Sequence, residues 1–279
     1  YTGGQRLYNM SWWALTVGFL LHTYGFALRI YIAERPPVSN MYETVVWVSW
    51  GGILFSMIIE AIYKQRFILM CGAIGATLCL IIASFAPAIL DPAINPLEPV
   101  LVSNFWLLIH VLTITISYSA FLLAFVLGDI GLAFAIRNEE KHKAKIKSIA
   151  DAIYRATQIG VVLLAAGIIL GGIWADYSWG RFWGWDPKET WALIALLGYV
   201  AILHGRLAGW LRPFGMNASA VVAFSLIIMA WYGVNFVLGA GLHSYGFGGG
   251  GIEYVSAFVL IQVVFVLAAV TVRKSQTKA

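Results

Sequence analysis

Long apolar runs separated by short polar breaks constrain this chain more than any other feature. Most of the eight runs are long enough for a helix to cross a bilayer core of ~30 Å, which takes ~20 residues. With 61% hydrophobic and only 11% charged residues, the 279-residue chain lacks the polar shell of a soluble domain. We therefore predict an all-α, polytopic membrane helix bundle of about eight transmembrane helices, forming one membrane domain over residues 1–279. The runs are Asn9–Ile32, Tyr42–Ile62, Phe67–Leu90, Phe105–Ile136, Gln158–Trp174, Thr190–Leu207, Ala218–Ala240 and Ile252–Val272.

The positions of the basic residues predict the orientation of these helices. Lys and Arg are enriched in cytoplasmic loops, and one side of an eight-span arrangement holds most of the 18 basic residues, including those of Arg137–Arg155. That side is expected to be the cytoplasm, and an even number of spans places both termini there. The net charge of +5 is explained by this bias, so we expect contact with membrane lipid and no nucleic-acid partner. The outer side then carries Ala33–Met41, Asp91–Asn104, Ala175–Glu189 and Gly241–Gly251.

The outer segment between the fifth and sixth runs, residues 174–191, is unusually rich in tryptophan and is called the Trp-rich loop below. Aromatic side chains at the end of a span commonly form a belt at the headgroup level. Here the density of rings, with Gly180 and Gly184 allowing close backbone approach, favours a binding surface for a large, flat, apolar ligand. Asp186 and Pro187 are expected to begin the next helix. The five tryptophans are Trp174, Trp179, Trp183, Trp185 and Trp191.

Two basic residues of the Trp-rich loop, Arg181 and Lys188, are among the few on the predicted outer side. One interpretation is that they form charge-assisted hydrogen bonds to the carboxylates of a ligand. The other is that they contact lipid headgroups. The sequence alone leaves both open.

Four of the five histidines lie in or beside apolar runs, where ionisable side chains are functional candidates. A lone histidine in a membrane helix is commonly a hydrogen-bonded packing residue. His110 and His243, however, are both predicted near the outer surface, beside the Trp-rich loop, and two neutral imidazoles suit the axial positions of heme iron. His204 lies ~21 Å further in along the sixth run, where it can bind a second, deeper heme. His22 is mid-span in the first run and is either the partner ligand of that deeper heme or a packing residue, which is the interpretation we favour. His142 is interpreted as a solvated residue.

The stretch WGRFWGWDPKETWALI, residues 179–194, resembles the signature of the CcsA family, also called ResC. This family is the membrane heme-binding part of the System II cytochrome c synthetase and belongs to a superfamily marked by a Trp-rich "WWD" loop. The resemblance covers nearly the full chain. It is supported by PPVSNMYE at 36–43, SNFWLLIHV at 103–111, LHGRL at 203–207 and GVNFVLGAGLHSYG at 233–246.

The resemblance implies a function in cytochrome c biogenesis. Heme b would move from the cytoplasm through a membrane site to an external site, where two thiols of a Cys-x-x-Cys-His segment of apocytochrome c add to its vinyl groups. His110 and His243 match the external axial ligands, and His204 matches the transmembrane histidine. Asp186 belongs to the motif that matches the loop around the external heme, and it would orient either this loop or a propionate-binding side chain; the sequence leaves both open. The external heme would lie against Trp179, Trp183 and Trp185.

The same resemblance implies a holocytochrome c synthase, or heme lyase, that acts together with a CcsB-like (ResB-like) subunit or a fused front portion. No segment here matches the large extracytoplasmic domain expected of CcsB, and the chain opens at Tyr1, so separate subunit and rear part of a fusion both stay open. The implied location is the bacterial inner membrane with the heme site on the periplasmic side, or the thylakoid membrane in a plastid homologue.

Three other functions compete with this prediction, and one of them is that of a purely structural membrane subunit. A heme exporter or loader of the CcmC or CcmF type shares the Trp-rich loop and flanking histidines, although DPKETWALI favours CcsA. A transporter of another solute predicts polar residues meeting at the bilayer midplane, which would leave the outer aromatic residues without a role.

Overall fold

A computed structural model describes residues 2–86, 89–96, 105–243 and 250–276, and the regular structure within these ranges is entirely helical. Residues 103–104 and 244–246 of the quoted stretches, and half of the glycine run at 248–251, lie outside the described residues. The helices are α1 Thr2–Ala33, α2 Met41–Tyr63, α3 Ile68–Phe85, α4 Phe105–Trp179, α5 Pro187–Leu207, α6 Pro213–Ile228, a π-helix Met229–Leu238, and α7 Ile252–Gln276.

Seven helices among the described residues are long and apolar enough to cross a membrane, which makes the chain a multi-pass membrane protein and confirms the predicted helical bundle. The eight apolar runs fit into seven helices because α4 contains two of them. The two runs lie on either side of Asn138, whose backbone is extended (φ −175°, ψ 104°). The Asn138 side chain accepts a hydrogen bond from the Lys141 N–H (2.8 Å), so it caps a new helical segment at this break.

The chain divides into two compact units, Tyr1–Leu97 and Glu98–Ala279. In the first unit α2 packs on α3, where Gly72 allows the helix to approach Ser56. In the second unit α4 packs on α6, and Gly131 makes the same kind of room for Asn217. Small residues at both contacts let the helix backbones come together, as is common between membrane helices. The single membrane domain remains a prediction.

The C-terminal helix of the second unit is tied to the break in α4. Arg273 donates from Nε to the Glu139 carboxylate (2.6 Å), and the Gln276 side chain accepts from the Glu139 N–H (3.1 Å). Gln276 also donates to the carbonyl of Ile136 (3.0 Å). These bonds satisfy backbone groups that the interruption at Asn138 leaves without their usual helical partners.

The π-helix carries the chain from α6 toward His243. Gly239 ends it with a left-handed backbone (φ 49°), and the Gly239 N–H donates to the carbonyl of Val234 five residues earlier (3.1 Å). This wide turn is rare in proteins and is often found near functional sites.

Candidate functional site

A capping box at the start of α5 fixes the end of the Trp-rich loop. Asp186 is the N-cap, and its side chain accepts a hydrogen bond from the Glu189 N–H (3.0 Å). The Glu189 carboxylate in turn accepts a hydrogen bond from the Asp186 N–H (3.2 Å), which completes the capping box. Pro187 occupies the first turn, where the N–H that proline lacks would have no helical acceptor. The predicted helix start at Asp186–Pro187 is therefore confirmed.

Glu189 also organises the irregular part of the loop, residues 180–186. Its carboxylate, whose side chain is 8% exposed, accepts from Arg181 Nη1 (2.9 Å) and from the Gly184 N–H (2.6 Å). Arg181 in turn lies over the Trp179 ring, with its guanidinium carbon 5.6 Å from the ring centroid, and packs against Gly184. Arg181 thus holds the loop together from within, a role the sequence analysis did not assign to it.

His243 is held by the same N-cap. Its Nδ1 contacts the Asp186 carboxylate oxygen Oδ2, and Gly241, with φ 89°, brings the backbone against Asp186 and Pro187. Burial raises the pKa of Asp186, but hydrogen bonds from His243 and the Glu189 N–H, together with the charges of His243 and Arg181, lower that pKa below its ordinary value. The ionised carboxylate therefore accepts a proton-bearing Nδ1 from His243.

His110 lies near the same place, on the first part of α4. Its Nδ1 bonds to the carbonyl of Gly167 on the second part of that helix (2.7 Å). The His110 ring is parallel to the indole of Trp174, with centroids 6.4 Å apart and an interplanar angle of 6°. Trp174 is 1% exposed, and its ring centroid is also 5.6 Å from that of His243. The two histidines therefore neighbour one buried indole.

The hydrogen bonds assign the tautomers of both histidines. A carbonyl and an ionised carboxylate can only accept, so the Nδ1 of His110 and the Nδ1 of His243 must each carry the proton when the rings are neutral. The lone pair then resides on Nε2 of each ring, which is the atom a metal binds when the other nitrogen donates to a second residue.

The tryptophans divide into two groups. Trp174 and Trp179 are 4.7 Å apart by centroid, and Trp179 meets the His243 ring nearly perpendicularly at 4.8 Å. Trp183 and Trp185 pack against each other edge to face at 5.7 Å. Trp185 is 68% exposed and has a left-handed backbone (φ 59°), which is uncommon for a bulky residue. Among the predicted contact residues, then, Trp179 contacts His243, whereas Trp183 and Trp185 pack on each other.

The remaining predicted residues of the second unit, Lys188 and His204, lie at different distances from this cluster. Lys188, on the first turn of α5, is close enough to His110 and Asp186 for their charges to interact. His204 is exposed on the same helix, ~27 Å further along from Asp186 at 1.5 Å per residue, with Nδ1 bonded to the Val200 carbonyl (2.8 Å). His22, in the first unit, stacks on Phe26 with ring centroids 5.1 Å apart.

Sequence reasoning missed Glu189 and underrated Trp174. The spacing Asp-Pro-Lys-Glu is a capping-box signature, so the role of Glu189 was readable from the sequence. Trp174 was counted with the Trp-rich loop, yet no sequence signal distinguishes it from its exposed neighbours.

Asp186, Glu189 and His243 also place three possible metal-ligand atoms within 4.8 Å of one another. Both carboxylates, however, already accept hydrogen bonds from Arg181, His243 and backbone N–H groups. These bonds explain why the acidic side chains are close together without invoking a bound metal ion.

Comparison with known proteins gives a consistent result. Residues 38–243 match the family model of the cytochrome C assembly protein. Protein NrfI of Wolinella succinogenes is 39% identical over 253 residues, 86% of this chain but only 26% of that protein. The cytochrome c biogenesis proteins CcsA of Guillardia theta and of a Synechococcus species are each 35% identical, covering 75% and 83% of this chain and 76% and 85% of their own lengths.

Proposed function

We propose that this chain, which belongs to the cytochrome c assembly protein family, binds heme b as a substrate and presents it for attachment to apocytochrome c. The observation that carries the proposal is the meeting of His110 and His243 at Trp174. Each ring donates through Nδ1 and so directs the lone pair to Nε2. Two such imidazoles are a common axial ligand pair for heme iron.

The surroundings of the histidines suit the rest of a heme molecule. Trp174 and Trp179 offer flat apolar faces next to His243. The indole N–H groups of Trp174 and Trp183 are buried and have no hydrogen-bond acceptor among the described residues, so polar groups of a ligand would satisfy them. We assign Lys188 to a heme propionate because of its position near His110, whereas Arg181 supports the loop through Glu189.

The proposed reaction is thioether formation at the periplasmic side of the inner membrane, or at the equivalent side of a thylakoid membrane. The thiols of a Cys-x-x-Cys-His segment are the nucleophiles: each sulfur bonds to one vinyl carbon and its hydrogen ends on the other, with no net oxidation. The residues of this chain hold the macrocycle in one orientation, which brings the reacting groups together. No side chain of the chain needs to act as a nucleophile.

A CcsB-like subunit or fused portion is the proposed partner. The exposed imidazole of His204 on α5 supports a second, transmembrane heme site on the export route, completed by a ligand from that partner. The chain spans about a quarter of NrfI, so the complete synthase activity is proposed only for the assembly with the partner.

The absorption spectrum of the purified chain, alone and with its partner, tests the proposal. We expect a Soret band that is strongly reduced in His110→Ala and in His243→Ala but unchanged in His142→Ala. His142 is the matched control because it lies in the basic segment after Asn138 and bonds only locally to the Asn138 carbonyl (2.9 Å). A spectrum without a Soret band, or equal heme content in all three variants, would contradict heme binding at this site.

A further inference from the structure

The two proposed axial histidines differ in the group that accepts their Nδ1 proton. His243 donates to the carboxylate of Asp186, and His110 donates to the backbone carbonyl of Gly167. We infer that His110 is the ligand that the histidine of the apocytochrome Cys-x-x-Cys-His segment replaces, while His243 stays on the iron. This inference rests on the proposed function.

The difference in acceptors makes His243 the stronger ligand. A hydrogen bond to an ionised acceptor is roughly twice as strong as one between neutral groups. By accepting the hydrogen bond from Nδ1–H, the carboxylate increases the electron density at Nε2 and so strengthens the bond of Nε2 to a metal. The Gly167 carbonyl is neutral and also belongs to the hydrogen-bonding pattern of α4. It therefore increases the electron density at Nε2 of His110 much less.

The Asp186 carboxylate is also held firmly in place. It is buried and caps α5, with Glu189 completing the capping box and Arg181 pairing with Glu189. On the other side of the contact, Gly241 brings the backbone before His243 against Asp186. His243 is therefore fixed both through its ring and through its main chain.

His110, by contrast, can leave the heme iron by a rotation of its side chain alone. It lies on a regular part of α4, and among the described residues its ring hydrogen-bonds to the carbonyl of Gly167. Turning the side chain away breaks this neutral bond but disturbs no loop. An incoming histidine therefore meets less resistance at the His110 position than at the His243 position.

A peptide that contains Ser-x-x-Ser-His tests the inference, because its histidine can bind iron while its serines cannot form thioethers. The peptide is titrated into His110→Ala and His243→Ala proteins that have been reconstituted with added heme, each with the partner portion present, and the six-coordinate low-spin spectrum is followed. We expect half-saturation in His110→Ala at a peptide concentration about tenfold lower than in His243→Ala, the lower end of the effect of a supporting carboxylate on metal binding. Equal half-saturation, or tighter binding to His243→Ala, would overturn the inference.

Asp186→Asn provides a second measurement that keeps both histidines. The amide removes the anionic acceptor, so we expect the heme reduction potential to become more positive and the heme to dissociate about 10–100-fold more readily. Glu140→Gln, in an exposed ion pair with Lys143, is the control and should leave the potential unchanged. A wild-type potential in Asp186→Asn would overturn the inference even though the Soret band, and with it the proposed function, is intact. Absence of the Soret band in the wild-type protein would instead refute the proposed function.

Discussion

Gly171 lies directly against the imidazole of His110. A Cβ atom built on Gly171 would lie 2.6 Å from Cε1 and 2.8 Å from Nδ1 of that ring, closer than real Cβ atoms approach. The same ring is held by the carbonyl of Gly167, one turn earlier on α4. The absence of a side chain at Gly171 therefore determines where His110 can lie.

Gly171→Ala should displace the His110 ring and lower heme content without preventing folding. The added methyl group cannot move, since it is fixed to the backbone of α4, so the imidazole has to shift and its bond to Gly167 weakens. The measurement is the ratio of Soret to protein absorbance in the purified variant. Gly25→Ala in α1 is the matched control, because a Cβ there meets no atom within 4 Å. The same heme content in both variants would contradict this placement of His110.

Added imidazole should restore part of the activity of His110→Ala and of His243→Ala. Each substitution is expected to abolish cytochrome c assembly by removing one axial ligand, and free imidazole supplies the missing nitrogen. The measurement is the yield of covalent cytochrome c in cells grown with and without imidazole. Full activity of either variant without imidazole would exclude an axial role for that histidine.

Glu189→Gln should loosen the Trp-rich loop. The glutamine amide lacks the negative charge that pairs with Arg181. It also cannot accept equally well from the Gly184 and Asp186 N–H groups. We expect a loss of about 1.5–3 kcal/mol of stability, the range for hydrogen bonds to charged groups. Thermal unfolding in detergent measures the effect. Because the Glu140–Lys143 pair is exposed, Glu140→Gln should unfold at the wild-type temperature, and an equal loss there would point to a general charge effect instead.

Trp185→Ala should reduce retained heme more than Trp47→Ala does. Trp185 belongs to the proposed heme surface, whereas Trp47 stacks on Trp50 within α2, with centroids 4.9 Å apart. Equal heme content in these two variants would argue against the Trp-rich loop as the binding surface.

Trp185→Gly distinguishes the effect of losing the Trp185 ring from the effect of its backbone conformation. Glycine adopts the left-handed conformation (φ 59°) without the ~1–2 kcal/mol penalty of other residues. Trp185→Gly should therefore retain as little heme as Trp185→Ala but unfold at a higher temperature. If Trp185→Gly were the less stable of the two, the loop would require something other than this backbone conformation.

The apolar runs predicted the membrane helices well because burial in a bilayer leaves a strong compositional signal. The continuation of α4 beyond Asn138 was harder to predict, since its many lysines and arginines indicated a cytoplasmic loop. A helical pattern is nevertheless present there: Ile146, Ile149 and Ile153 are buried at the spacing of one helix face.

The pairing of the histidines was predictable only in part. The prediction that both lie near one surface of the membrane came from counting spans and basic residues. Their hydrogen-bond acceptors did not, because His110 bonds to Gly167 and His243 to Asp186, each 57 residues away in the chain. Contacts at that separation depend on how α4, α5 and the π-helix pack, which a single sequence does not encode as a local pattern.

The π-helix before His243 has a consequence for chain length. Its bonds reach five residues back, so the segment Met229–Leu238 completes fewer turns than an α-helix of the same length. Deleting one residue while this winding is kept would rotate the following segment around the helix axis, because each helical residue contributes a fixed turn. His243 would then point away from Asp186. The count of residues between Met229 and His243 is therefore as much a part of the site as the identity of its side chains.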